Sequence, residues 1–223
     1  MKWALPEEAP RSLAWRATSG KEKTMQGRSP FEELLQEHMA LLTDVGDLQT
    51  SIRGLAQPES AALGGGVGPI RDSLDIFQRR LRIHFRREEE GVFPDAQRMV
   101  SEGARGADVF GRFFAEEAED DMSAHATLTQ RASEMMAMVA QMEQAGGPDE
   151  ASARRLLALV NLTANLIQRH AGKEDTLIFP MIEKSLTAEQ VAAVSERLKK
   201  LASDKDLLSA EESGLTKLDR PEE

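Results

Sequence analysis

Apolar positions recur at helical spacing in four long stretches of the chain. After Ser29 and Pro30, a cap and a first-turn proline, Leu34, Leu35, His38, Leu41, Leu42 and Val45 fall on one helix face. The glycine-rich run QPESAALGGGVGP (57–69) predicts a loop. From about Ile70, Leu74, Phe77, Leu81, His84 and Glu88 form a second stripe, which Pro94 ends or kinks. SEGARG (101–106) predicts a turn, and a third helix follows from about Ala107 to Ala145, stopped by Gly146, Gly147 and Pro148. The fourth opens at Asp149 as cap and carries Leu156, Leu159, Leu162, Leu166 and His170 toward Phe179 and Pro180. A fifth helix, roughly 187–203, begins with Thr187 and Gln190 spaced as a capping box.

Four long helices with short connections predict an all-α fold: an up-down-up-down four-helix bundle over residues 30–182 with an additional C-terminal helix. Residues 1–29, broken by Pro6 and Pro10, read as an extension without sustained periodicity that Trp3 and Trp15 would pin to the bundle. Residues 183–223 read as the added helix and a polar tail.

Composition narrows the chemistry. The 223 residues contain no Cys, which removes disulfides, thiolate metal sites and thiol catalysis. The formal net charge of −10 argues against nucleic acid and anionic membranes as partners. The first residues, MKWALPEEAPRSLAW, hold no long apolar run, so a cytoplasmic location is the expectation. No phosphate loop, dinucleotide fingerprint or Ser-His-Asp set stands out.

The chain is an internal repeat. His38 is matched 87 residues later by His125, and His84 and Glu88 are matched 86 residues later by His170 and Glu174. HFRREEEGVFP (84–94) aligns without a gap on HAGKEDTLIFP (170–180). Residues four apart share a helix face, so His84 with Glu88, and His170 with Glu174, each offer a nitrogen and a carboxylate to one small volume. A lone HxxxE is as often a surface pair, worth ~0.2–0.5 kcal/mol. Here all four histidines of the chain sit at repeat-related positions, and two carboxylates buried without a cation would cost several kcal/mol each. The candidate metal ligands are therefore His38, His84, Glu88, His125, His170 and Glu174.

The pattern H…HxxxE…H…HxxxE, with Phe-Pro after each acid, resembles the hemerythrin-like (HHE cation-binding) domain family. That resemblance implies a four-helix bundle holding two iron ions with an oxo or hydroxo bridge, four histidine ligands and Glu88 and Glu174 as bridging carboxylates. Each iron would then keep roughly one position for a small diatomic ligand or peroxide, although the same donors also suit zinc. The chain departs from the oxygen-carrying hemerythrins, which use five histidines and an aspartate one place further along the last helix. Position i+5 is also acidic here, as Glu89 and Asp175, and i+4 is favoured because it holds Glu in both halves. Asp121, four before His125, stands where a fifth histidine is expected; its alternatives are a metal ligand, an outer partner of a ligand and, favoured within EEAEDD (116–121), a solvated acid. Four imidazoles and only two carboxylates place little negative charge on the metals, which favours reversible binding, sensing or redox cycling of oxygen, nitric oxide or peroxide. The alternatives are a di-iron enzyme consuming peroxide or nitric oxide, and an iron storage or delivery module.

Overall fold

The computed structural model describes residues 29–55, 66–101 and 107–202. The expectations for the N-terminal extension, for most of the glycine-rich loop and the SEGARG turn, and for the polar tail lie outside these residues. Every regular element described is helical. The order is α1 (Pro30–Leu55), α2 (Gly68–Arg86), a π-helical turn (Arg87–Val92), α3 (Phe93–Ser101), α4 (Ala107–Gln144), α5 (Glu150–Lys173), a second π turn (Glu174–Ile178), α6 (Phe179–Ser185) and α7 (Ala188–Ala202).

The helix ends follow local chemistry. Pro30 opens α1; just before it Ser29 N–H donates to the Glu32 carboxylate at 3.3 Å, and the Ser29 hydroxyl donates to Glu183, 2.8 Å away. Gly146 and Gly147 take positive φ, 84° and 140°, and Gly147 N–H returns to the Met142 carbonyl at 2.9 Å to close α4. The Asp149 carboxylate accepts from Ser152 N–H at 2.7 Å, and the Ser152 hydroxyl accepts from Asp149 N–H at 3.1 Å, completing a capping box. Thr187 and Gln190 make the corresponding pair ahead of α7.

The long helices α1, α2, α4 and α5 pack in a ring in chain order, closed by α5 against α1. His38 lies early in α1 and His84 at the end of α2, so consecutive helices run in opposite directions, as an up-down-up-down bundle requires. Buried side chains on α5 are Ala153, Leu156, Val160, Thr163, Ile167, His170 and Ala171. The expected stripe through Leu162 is thus rotated: Leu162 is 55% exposed, and Val160 and Ile167 fill the core instead. Two apolar clusters result. One occupies the body of the bundle, with Leu41, Leu48, Leu74, Phe77, Leu128 and Leu156 among its members. The other, with Phe31, Leu34, Phe93, Phe179, Val194 and Leu198, seals one end beneath α7. Between them lies a layer of buried polar residues, His38, His84, Glu88, His125, His170 and Glu174.

Candidate metal centre

His38, His84, His125 and His170 point their Nε2 atoms inward from α1, α2, α4 and α5, and all four side chains are buried. Glu88 and Glu174 begin or lie in the two π turns and have no solvent exposure. His84 Nε2 is 3.0 Å from Glu88 Oε1, and His125 Nε2 is 3.2 Å from Glu88 Oε2. Glu174 Oε2 lies 3.0 Å from His38 Nε2 and 3.4 Å from His170 Nε2. One ligand atom from each of His38, His84, Glu88, His170 and Glu174 lies within 4.8 Å of every other. His125 stands outside that mutual group and joins it through Glu88. All six residues singled out from the sequence therefore meet in one layer.

Chemical fit to a cation rests on unmet hydrogen bonding. The four Nε2 atoms and all four oxygens of Glu88 and Glu174 are buried without a hydrogen-bond partner. Eight converging donor atoms left unpaired would be costly in an apolar core, whereas a cation satisfies them together. The residues fit a metal-binding site.

The outer nitrogens are held just as consistently. His38 Nδ1 donates to Asp175 at 2.8 Å, His84 Nδ1 to Glu37 at 3.0 Å, His125 Nδ1 to Glu89 at 2.7 Å and His170 Nδ1 to Asp121 at 3.2 Å. A carboxylate only accepts, so each contact fixes the tautomer that leaves Nε2 for a cation. The π turns explain how Glu88 with Glu89, and Glu174 with Asp175, serve the same site. Bonding from i to i+5 widens the turn, so neighbouring residues rotate less and both acids face the histidine layer. Glu88 and Glu174 reach the inside, while Glu89 and Asp175, 34% and 29% exposed, reach the lone histidine of the opposite half.

Asp121 corrects the sequence-based expectation: it is not a solvated acid but 2% exposed, buried where α4 meets α5 against His170. Glu37 was not singled out from the sequence, because one acid beside a histidine on an acidic helix carries no distinguishing spacing. The buried Arg87 guanidinium holds it in place, pairing with Glu37 and, at 2.8 Å, with Glu33. Aromatic rings complete the walls: Phe85 stacks on His125 at 3.8 Å, and Phe179, from the second Phe-Pro, lies parallel to His38 at 5.8 Å.

Without a cation, protons must balance these carboxylates. Burial alone would lower the pKa of His38, yet its hydrogen bond to Asp175 and the close carboxylates of Glu174 and Glu88 raise it to about 11. His125 is likewise raised to about 9, burial opposing and Glu88 and Glu89 prevailing. Burial lowers His84. Burial would raise Glu88, but the charge of His84 and the close imidazoles of His125, His38 and His84 hold it well below the usual range. Glu174 is pushed well above it by burial and by the charge of Glu88.

Residues 29–182 match the family model described as the hemerythrin HHE cation binding domain. The chain belongs to the hemerythrin HHE family. The matched span begins at the foot of α1 and ends within α6, so it contains every residue of the polar layer, while α7 lies beyond it. No curated protein sequence matches the chain. No helix among the described residues is long and apolar enough to cross a membrane.

Proposed function

We propose that this hemerythrin-family chain is a cytoplasmic non-haem di-iron protein that binds or senses oxygen, nitric oxide or peroxide. In this reading His38, His84, His125 and His170 supply nitrogen ligands, and Glu88 and Glu174 supply bridging carboxylates. The observation that carries it is the convergence of eight buried, unpartnered donor atoms from four helices on one small volume. Bound iron would supply reversible electron transfer and a position for a small ligand. The chain's own residues orient the imidazoles through Glu37, Glu89, Asp121 and Asp175, and exclude water with the apolar clusters on either side.

The four outer carboxylates also change the electronic argument. Counting only inner residues gives two acids to four histidines, but six carboxylates surround the centre once the Nδ1 partners are included. Hydrogen bonds from Nδ1–H to carboxylate make each imidazole a stronger donor and favour the oxidised metal. This supports redox cycling, including slow consumption of peroxide or nitric oxide, alongside simple binding.

Metal content per chain, with visible spectra recorded before and after reduction and air exposure, tests the proposal. About two irons and an absorption band that bleaches on reduction and returns in air are expected. One zinc, or a purified chain without metal, overturns it.

A further inference from the structure

The duplication places a groove beside the paired histidine of each half, and the two grooves differ in one respect. In the first half, between α1 and α2, Gln36, Glu37, Ala40, Arg80 and Ile83 line a cavity of about 340 Å³ that includes no inner histidine. Its carboxylate is fully engaged: one Glu37 oxygen accepts from His84 and the other from Arg87. In the second half, between α4 and α5, a cavity of about 290 Å³ is lined by Asp121, Ala124, Leu166, Arg169 and His170. Lys173 occupies the repeat position of Arg87 but pairs with Glu117 and Asp120 instead. Asp121 is therefore left with one oxygen on His170 and the other, Oδ2, buried and without a partner.

From this asymmetry we infer that the α4–α5 groove is the entrance to the centre, and that Asp121 Oδ2 docks an incoming protic ligand, hydrogen peroxide, by accepting its O–H. The inference rests on the proposed di-iron reading and selects among its ligands. Oxygen and nitric oxide have no hydrogen to donate, whereas peroxide offers two O–H groups. A buried acceptor lacking a donor is costly, and a small donor entering from the groove removes that cost. A molecule with an O–H group therefore gains over an aprotic one at this point. His170 lines the same groove and has its Nε2 buried in the inner layer, so one side chain joins the groove to the centre.

The test uses the full chain loaded with iron, with metal content and resting spectrum measured for every variant before any ligand is added. Asp121→Asn keeps an oxygen for His170 but replaces the free acceptor with an amide N–H. Leu166→Trp fills the second-half groove, and Ala40→Trp fills its first-half counterpart as the control. Stopped-flow spectra on mixing with hydrogen peroxide, and separately with nitric oxide, give association rates. In Asp121→Asn the ratio of the peroxide rate to the nitric oxide rate is expected to fall about tenfold, which a change in how His170 is held would not produce by itself, and Leu166→Trp is expected to slow both ligands about tenfold. Ala40→Trp should match the unsubstituted protein. Unchanged rates in Leu166→Trp, equal slowing by Ala40→Trp, equal loss of both ligands in Asp121→Asn, or an iron-loaded protein whose spectrum ignores peroxide would each overturn the inference. Absence of iron in the unsubstituted protein would instead overturn the functional reading beneath it.

Discussion

Glu88 and Glu89 are adjacent in sequence, yet the structure gives them different tasks. Glu88 has no exposure and meets His84 and His125 on their inner nitrogens; Glu89 is about one-third exposed and meets His125 from outside. Their substitutions should separate accordingly. Glu88→Gln is expected to lose the metal pair, read as metal per chain, because it removes a central anionic donor. Glu89→Gln should retain the stoichiometry while weakening affinity roughly ten- to a hundredfold in a chelator competition, the usual effect of losing an outer partner. Asp175→Asn should behave like Glu89→Gln, since it serves His38 in the same way. Full loss of metal in the outer variants, with retention in Glu88→Gln, would reverse the ligand register.

Among the elements, α7 shows what the sequence pattern leaves open. Its capping box and length were readable, but not its partner. The helix packs on the first π turn, and Val194 and Leu198 are fully buried there. Gly91 permits this approach, because a Cβ at that position would overlap the Leu198 Cδ2 atom. Arg197 fastens the contact by donating to the Gly91 carbonyl at 2.9 Å and pairing with the buried Asp95. Gly91→Ala should therefore destabilise the protein by about 1–3 kcal/mol, the range for overpacking, seen as a lower thermal midpoint with helix content retained. An unchanged midpoint would mean that α7 yields without cost. Since the π turn also carries Glu88, the same variant is expected to loosen metal retention.

At the scale of the whole molecule, folding and metal binding are coupled. Without a cation the buried layer relies on protonated His38 and His125, with pKa values of about 11 and about 9 against an ordinary 6.5. A histidine whose folded pKa is raised contributes stability that is complete below 6.5 and is lost as pH rises through its folded value. Metal-free protein should therefore lose stability between pH 6.5 and about 9, while metal-loaded protein, whose histidines are already deprotonated, should not. Denaturant unfolding of both forms across that range checks the sign. Stability of the metal-free form that rises with pH in this window would refute the assignment of charge.

The sequence by itself determined the helices, the duplication and the six inner residues. Helix periodicity is local, and a His-x-x-x-Glu segment repeated without a gap in two halves leaves few ways to converge. It also displayed the acids at i+5, though as rivals to Glu88 and Glu174; only the wide π turns show that both positions are used. The burial of Asp121, one alternative among those its position offered, and the role of Glu37 were undecided for a different reason. An acidic run has the same composition whether it faces water or a histidine on another helix, and that choice depends on how α4 meets α5 and how α1 meets α2. Tertiary structure alone decided the burial of Asp121, the turn of α5 that exposes Leu162, the seat of α7 on Gly91 and the inequality of the two grooves. Each depends on contacts between residues far apart in the chain, where local periodicity carries no information.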